Sequence, residues 1–234
     1  VTQINSIVRD VRLIGGSSGI NVVGAGNSRI NLDVADTFIN APLGIGVSLD
    51  NQDIGSQHIN RLVFDNMEIQ SNVGASLSTG SITKTDFSIT GSTIRSNGIL
   101  PAAGETLNRA DPTVYGPYTD VAGSFGIIVD AFGADPILGV VDNFTRVNIA
   151  NNEINDFTFD GISITGSGDA ELLVNIESNE ISRNGPGQDN DPPGDDTFPG
   201  PDSPAVNPTE EFFHSGISIT ASNSSKISGR IINN

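Results

Sequence analysis

His214 follows the run Glu210-Glu211-Phe212-Phe213 and stands two residues before the glycine of Gly216-Ile217-Ser218-Ile219-Thr220. That makes it the best-placed general acid or base of the chain. Asp130 closes a similar segment, Gly126-Ile127-Ile128-Val129, and Asp160 immediately precedes a third, Gly161-Ile162-Ser163-Ile164-Thr165. Two carboxylates on neighbouring segments are what glycoside hydrolysis needs, at roughly 5 to 10 Å from one another. These two sit at opposite ends of their segments, with four strand residues or about 13 Å between them, which is wide for that reaction. A polysaccharide lyase needs a positioned Lys, Arg, His or Tyr and a cation or Arg for the uronate charge. Neither Lys84 nor Lys226 belongs to a glycine-led segment.

Binding is better supplied than catalysis. Both tyrosines of the chain, Tyr115 and Tyr118, lie between Asp111 and Asp120. Aromatic faces beside carboxylates suit a sugar, with stacking for its C–H face and acceptors for its hydroxyls. A second segment carries Asp189, Asp191, Asp195, Asp196 and Asp202 among prolines and glycines. Such oxygen-ligand density could hold calcium or form a solvated loop. Its spacing is not that of an EF-hand, because Asp189-Asn190-Asp191 runs into two prolines without the sixth-position glycine or the twelfth-position glutamate.

The elements that must position these groups are repeats. Gly-Ile-Ser-Ile-Thr occurs at Gly161–Thr165 and Gly216–Thr220, with looser copies at Gly19-Ile20-Asn21-Val22, Gly44-Ile45-Gly46-Val47-Ser48-Leu49, Gly74-Ala75-Ser76-Leu77 and Gly126-Ile127-Ile128-Val129. Each alternates apolar and polar residues, the period of a strand with one face buried. A second unit recurs as Val147, Ile149, Asn152 and Ile154, as Val174, Ile176, Asn179 and Ile181, as Phe87, Ile89, Ser92 and Ile94, and as Leu62, Phe64, Met67 and Ile69. It reads as two strands joined at a tight bend, where the Asn or Ser is expected to take the left-handed conformation. Asn72, Asn97 and Asn184 recur behind the isoleucines and are expected to stack structurally. Uninterrupted copies are about 25 residues apart, a parallel β-helix spacing rather than a leucine-rich one. Two insertions break the period at one corner, residues 98–124 and 185–215, and both rejoin a glycine-led strand. Insertions gathered on one side of a solenoid mark its binding side.

Through Gly161-Ile162-Ser163-Ile164, Asn152-Glu153-Ile154 and their copies, the chain resembles the right-handed parallel β-helix superfamily, the pectate-lyase-like fold. The resemblance implies an all-β single solenoid over residues 1–234, of about six coils with three short strands each. Members that cleave polysaccharides place acids or a base on the first-strand face beside long loops. Here that face is expected to show Ile128, Asp130, Ser163, Thr165, Ser218 and Thr220, continuing as Ser48, Ser76 and Ser78. Polygalacturonase-like motifs are missing: Asp195-Asp196 lies in an insertion, and Gly229-Arg230-Ile231-Ile232 lacks the lysine of Arg-Ile-Lys.

Composition fits a turn-rich extracellular module. With 27 Gly, 12 Pro, no Trp and no Cys, the core must be aliphatic ladders, and neither disulfides nor a cysteine metal site can contribute. A net charge of −17 disfavours nucleic acid and anionic membranes, and no stretch is apolar enough to insert in a membrane. The expectation is a secreted or cell-surface, structural or adhesin-like module that meets a polysaccharide or cell-surface partner through a lip formed by the insertions, with calcium as a stabilising ion. The enzyme alternative is a polysaccharide lyase or hydrolase using Asp130, Asp160 and His214. Self-association through the solenoid ends into fibres is a third reading, and the chain reads as a segment of a longer one. Asn143-Phe144-Thr145 and Asn223-Ser224-Ser225 match the glycosylation triplet.

Overall fold

The alternation of apolar and polar residues becomes two parallel sheets in the computed structural model, which describes residues 2–51, 57–80, 82–96, 125–133, 143–155, 157, 160–182 and 216–234. The first sheet has seven strands, hydrogen-bonded in the order β1 (Thr2–Arg9), β4 (Ser28–Ala35), β6 (His58–Asp65), β8 (Thr83–Thr90), β11 (Phe144–Ala150), β14 (Glu171–Glu177) and β17 (Lys226–Ile232). The second sheet takes the chain between those strands. Its short segments are β2 (Arg12–Ile14), β9 (Thr93–Ser96), β12 (Glu153–Asn155) and β15 (Glu180–Ser182). Its glycine-led strands are β3 (Ser18–Val23), β10 (Phe125–Phe132), β13 (Ile162–Ser167) and β16 (Ile217–Ala221). In β5 (Phe38–Asn51) and β7 (Glu68–Thr79) the short and glycine-led segments are one continuous strand. Three strand segments per pass therefore make two sheets, because two of them share a hydrogen-bonded ladder. Every strand pair among the described residues is parallel, and the architecture is all-β and consistent with a β-helix-like fold.

Register turns the repeats into ladders. Leu13, Ile39, Ile69, Ile94, Ile154 and Ile181 are successive partners, and the middle four are fully buried. Ile20, Val47, Ala75, Ile127, Ile162 and Ile217 form a second such column. In the first sheet Leu62, Phe87, Val147 and Val174 are stacked, as are Phe64, Ile89, Ile149 and Ile176. Full burial of each such side chain contributes about 1.5 to 3 kcal/mol.

The leading glycines have a packing cause. A Cβ on Gly74 would overlap the Ile94 side chain and the Gly126 carbonyl, and one on Gly126 would overlap Ile154 and the Gly161 carbonyl. Only a hydrogen side chain lets the isoleucine ladder close against the next strand. The register also corrects one copy: Gly46, not Gly44, is equivalent to Gly74, since Val47 pairs with Ala75 and β5 carries an irregularity between Ala41 and Ile45. Gly44 instead lies against the Ser17 carbonyl.

At the bend leaving the first sheet, the left-handed residue is one place earlier than expected. Asp10, Asp36, Asn66, Gly91, Asn151, Ser178 and Asn233 have φ between 50° and 58°. Val11 and the core residue Met67 follow two of these bends, whereas at the others the next residue, Thr37, Ser92, Asn152, Asn179 or Asn234, hydrogen-bonds to backbone. Asn152 Oδ1 accepts from the Ser92 N–H at 3.0 Å, and its Nδ2 donates to the Ile89 carbonyl at 3.0 Å. Asn179 repeats the motif on the Asn152 N–H and the Ile149 carbonyl, and Asn234 on the Asn179 N–H and the Ile176 carbonyl. The asparagine thus satisfies backbone groups that the turn would strand.

Candidate functional site

The outward side of the glycine-led strands is a strip two side chains wide. One column runs Asn21, Ser48, Ser76, Ile128, Ser163 and Ser218, and the other Val23, Asp50, Ser78, Asp130, Thr165 and Thr220. Their inward neighbours Val47, Leu49, Ala75, Leu77, Ile127, Val129, Ile162 and Ile164 are buried, so the orientation follows from the pleat. Strands about 4.8 Å apart place a hydroxyl or carboxylate at nearly every step of the strip. The Ser48 hydroxyl already donates across strands to Asn21 Oδ1 at 2.9 Å.

Asp130 is half-buried on this strip. Burial pushes its carboxyl above the usual carboxylate range, and the hydrogen bond with the Thr165 side chain works against that. Asp50 shares its column, with Ser78 between them, so the two Cα atoms are about 10 Å apart, two strand spacings. The reading from sequence missed Asp50, because the copy at Gly44 ended at Leu49. Asp160 is not Asp130's partner. Its carbonyl accepts the Gly126 N–H, whereas Asp130 is level with Thr165, five residues further along and about 16 Å away. The structure therefore widens the expected separation and removes this pair from glycosidic chemistry.

No Lys, Arg or His occurs on the glycine-led segments among the described residues. The cations are elsewhere: Arg9, Arg29, Arg61, Lys84, Arg146, Lys226 and Arg230, seven of the chain's eleven, are exposed on the first sheet. There Arg146 lies over the Phe144 ring at 5.2 Å, and Arg230 pairs with Glu177 at 2.7 Å. A groove of about 850 Å³ crosses that sheet between Ile59, Lys84, Phe144, Glu171 and Lys226. Runs of single charges separated by whole repeats gave no local motif from which to foresee it.

Both insertions fall between strands of the second sheet. One leaves β9 and rejoins β10; the other leaves β15 and rejoins β16, two strands along the same sheet. Their contents, Asp111, Tyr115, Tyr118 and Asp120 in the first and Asp189, Asp191, Asp195, Asp196 and His214 in the second, lie outside the described residues. Among the described residues no group of three or more His, Cys, Asp or Glu could hold a metal ion, and no helix is long and apolar enough to cross a membrane. Of the glycosylation triplets, Asn223 is exposed, whereas Asn143 is buried with its amide nitrogen committed to the Thr79, Gly80 and Phe132 carbonyls.

No protein-family model, curated protein or solved structure matches the chain.

Proposed function

We propose that the chain is a single right-handed parallel β-helix of the pectate-lyase-like kind, serving as a rigid module of a secreted or cell-surface protein. Its glycine-led face binds a polysaccharide between the two insertions without cleaving it. The observation that carries this reading is the strip itself: a row dominated by serine, threonine and aspartate side chains, with no Lys, Arg or His among them in the described residues. Hydroxyls and carboxylates on a rigid frame match the hydroxyls of a sugar chain, and Tyr115 and Tyr118 in the flanking insertion would add stacking surfaces. Calcium held by Asp189, Asp191, Asp195 and Asp196 would stiffen the second insertion.

The test is titration of neutral and acidic polysaccharides against the wild-type chain, Ser163→Trp and the Tyr115→Ala/Tyr118→Ala double variant, with released reducing ends assayed in parallel. Saturable binding that either variant weakens, without product, is expected. Binding unaffected by both variants rejects the face.

One observation favours a second reading, an inverting hydrolase. Asp50 and Asp130 share a face at about the separation that leaves room for a water, and Asp130 is the carboxyl biased toward its protonated form. Product release abolished by Asp130→Asn and by Asp50→Asn would establish it.

A further inference from the structure

Inside the corner where the chain leaves the second sheet for the first, one polar arrangement occurs twice in register, and only one copy is complete. In the complete copy Asn143 is the centre. Its Nδ2 donates to the Thr79 carbonyl and Thr79 Oγ1, each at 3.0 Å, and its Oδ1 accepts from Thr145 Oγ1 at 2.8 Å. Thr145 and Thr79 hydroxyls are 3.4 Å apart.

One pass earlier each of these positions has an equivalent. Thr79 pairs with Asn51, and Thr145 with Thr85, which pairs in turn with Asn60. Asn143 and Thr83 stand immediately before the paired Phe144 and Lys84. The earlier copy therefore places Asn51, Asn60, Thr83 and Thr85 at the same inward corner, one pass back. All four are at most 2% exposed. Asn60 Nδ2 donates to Thr85 Oγ1 at 3.1 Å. Among the described residues, Asn60 Oδ1, Thr83 Oγ1 and both polar atoms of the Asn51 amide have no hydrogen-bond partner. The cause is legible in the swap: threonine stands where Asn143 stands, and its hydroxyl ends one bond short of the place that an amide nitrogen reaches.

We infer that this corner is a binding site for ordered internal water, which takes the place of the Asn143 amide and bridges Asn51, Asn60 and Thr83. The donor and acceptor pattern selects water over a cation. Asn51 presents an N–H donor beside its acceptor oxygen, and a cation would meet that donor with repulsion, whereas water donates and accepts at once. Two to four buried polar partners are the usual setting of an internal water. Gly24 lies against the Asn51 amide, since a Cβ there would overlap it.

The substitution Thr83→Asn supplies the missing amide and is the direct test. High-resolution crystal structures of the wild type and of this variant are compared, with melting temperatures alongside. In the wild type a solvent peak lies within hydrogen-bonding distance of Thr83 Oγ1 and of Asn51 or Asn60. In Thr83→Asn the amide occupies that position, the peak is gone, and melting is unchanged or higher by about 2 °C. Thr83→Ser, which keeps the hydroxyl, retains the peak. The inference is overturned if the wild type shows no peak and these side chains bond one another directly, or if Thr83→Asn folds with the peak retained. A Thr83→Asn variant that does not fold leaves the wild-type and Thr83→Ser densities to decide.

Discussion

Asp130 is the residue whose titration the fold alters most clearly among the described groups. Its folded-state pKa is raised by burial, so between the ordinary carboxylate pKa and the raised one the native state holds more protons than the unfolded chain. Stability therefore falls as pH rises through that window, and the loss persists at neutral pH. Asp130→Asn keeps an acceptor for Thr165 and removes the charge. It is expected to raise the melting temperature at pH 7 and to leave it unchanged near pH 3, read from melting curves across pH. An equal gain at both would assign the effect to packing instead. Glycine offers a second residue-scale contrast. Gly126→Ala forces a methyl group against the Gly161 carbonyl and Ile154, while among the described residues the same change at Gly216 meets only Ile181 Cγ2 at 3.7 Å. Gly126→Ala should cost about 2 to 3 kcal/mol and Gly216→Ala well under 1, measured by urea denaturation.

At the scale of the element, the bend ladder holds the passes in register. Asn179 accepts the Asn152 N–H and donates to the Ile149 carbonyl. Asn179→Ala strands both backbone groups in a buried turn and should destabilise by about 2 to 4 kcal/mol in chemical denaturation. Asn179→Ser, which can still accept as Ser92 does from Met67, should lose less. The strands themselves were legible in sequence because period-2 alternation is written locally, as in Gly161-Ile162-Ser163-Ile164. The recurrence of a polar residue at Asn152 and Asn179 was legible too, but its inward, backbone-bonding role was not. The conformational assignment at the bend was not, because Asp36, Asn66, Gly91 and Ser178 share a left-handed backbone but no residue type. Likewise the two-residue slip at Gly44 follows from an irregularity that only pairing reveals, and with it went Asp50.

Across the whole molecule, parallel ladders gather hydroxyls with Asp50 and Asp130 on the glycine-led face, whereas the first sheet mixes its cations with Asp33, Asp65, Asp86, Glu171 and Glu177, an arrangement hidden in a sequence where each charge is a repeat apart. The interior polar corner was equally hidden, since Asn143 and Thr83 gain meaning only when stacked. Calcium belongs to this scale. If the second insertion holds it, millimolar calcium should raise the melting temperature, and replacing residues 186–213 by a short linker should abolish the rise. The claim of a glycan-binding face without turnover is tested most directly by one experiment, in which polysaccharide binding and reducing-end release are measured together on the wild type and on Ser163→Trp. The account predicts saturable binding, no release, and at least about tenfold weaker binding in the variant, a loss of about 1.4 kcal/mol. Release of reducing ends by the wild type, or equal binding by both proteins, would contradict it.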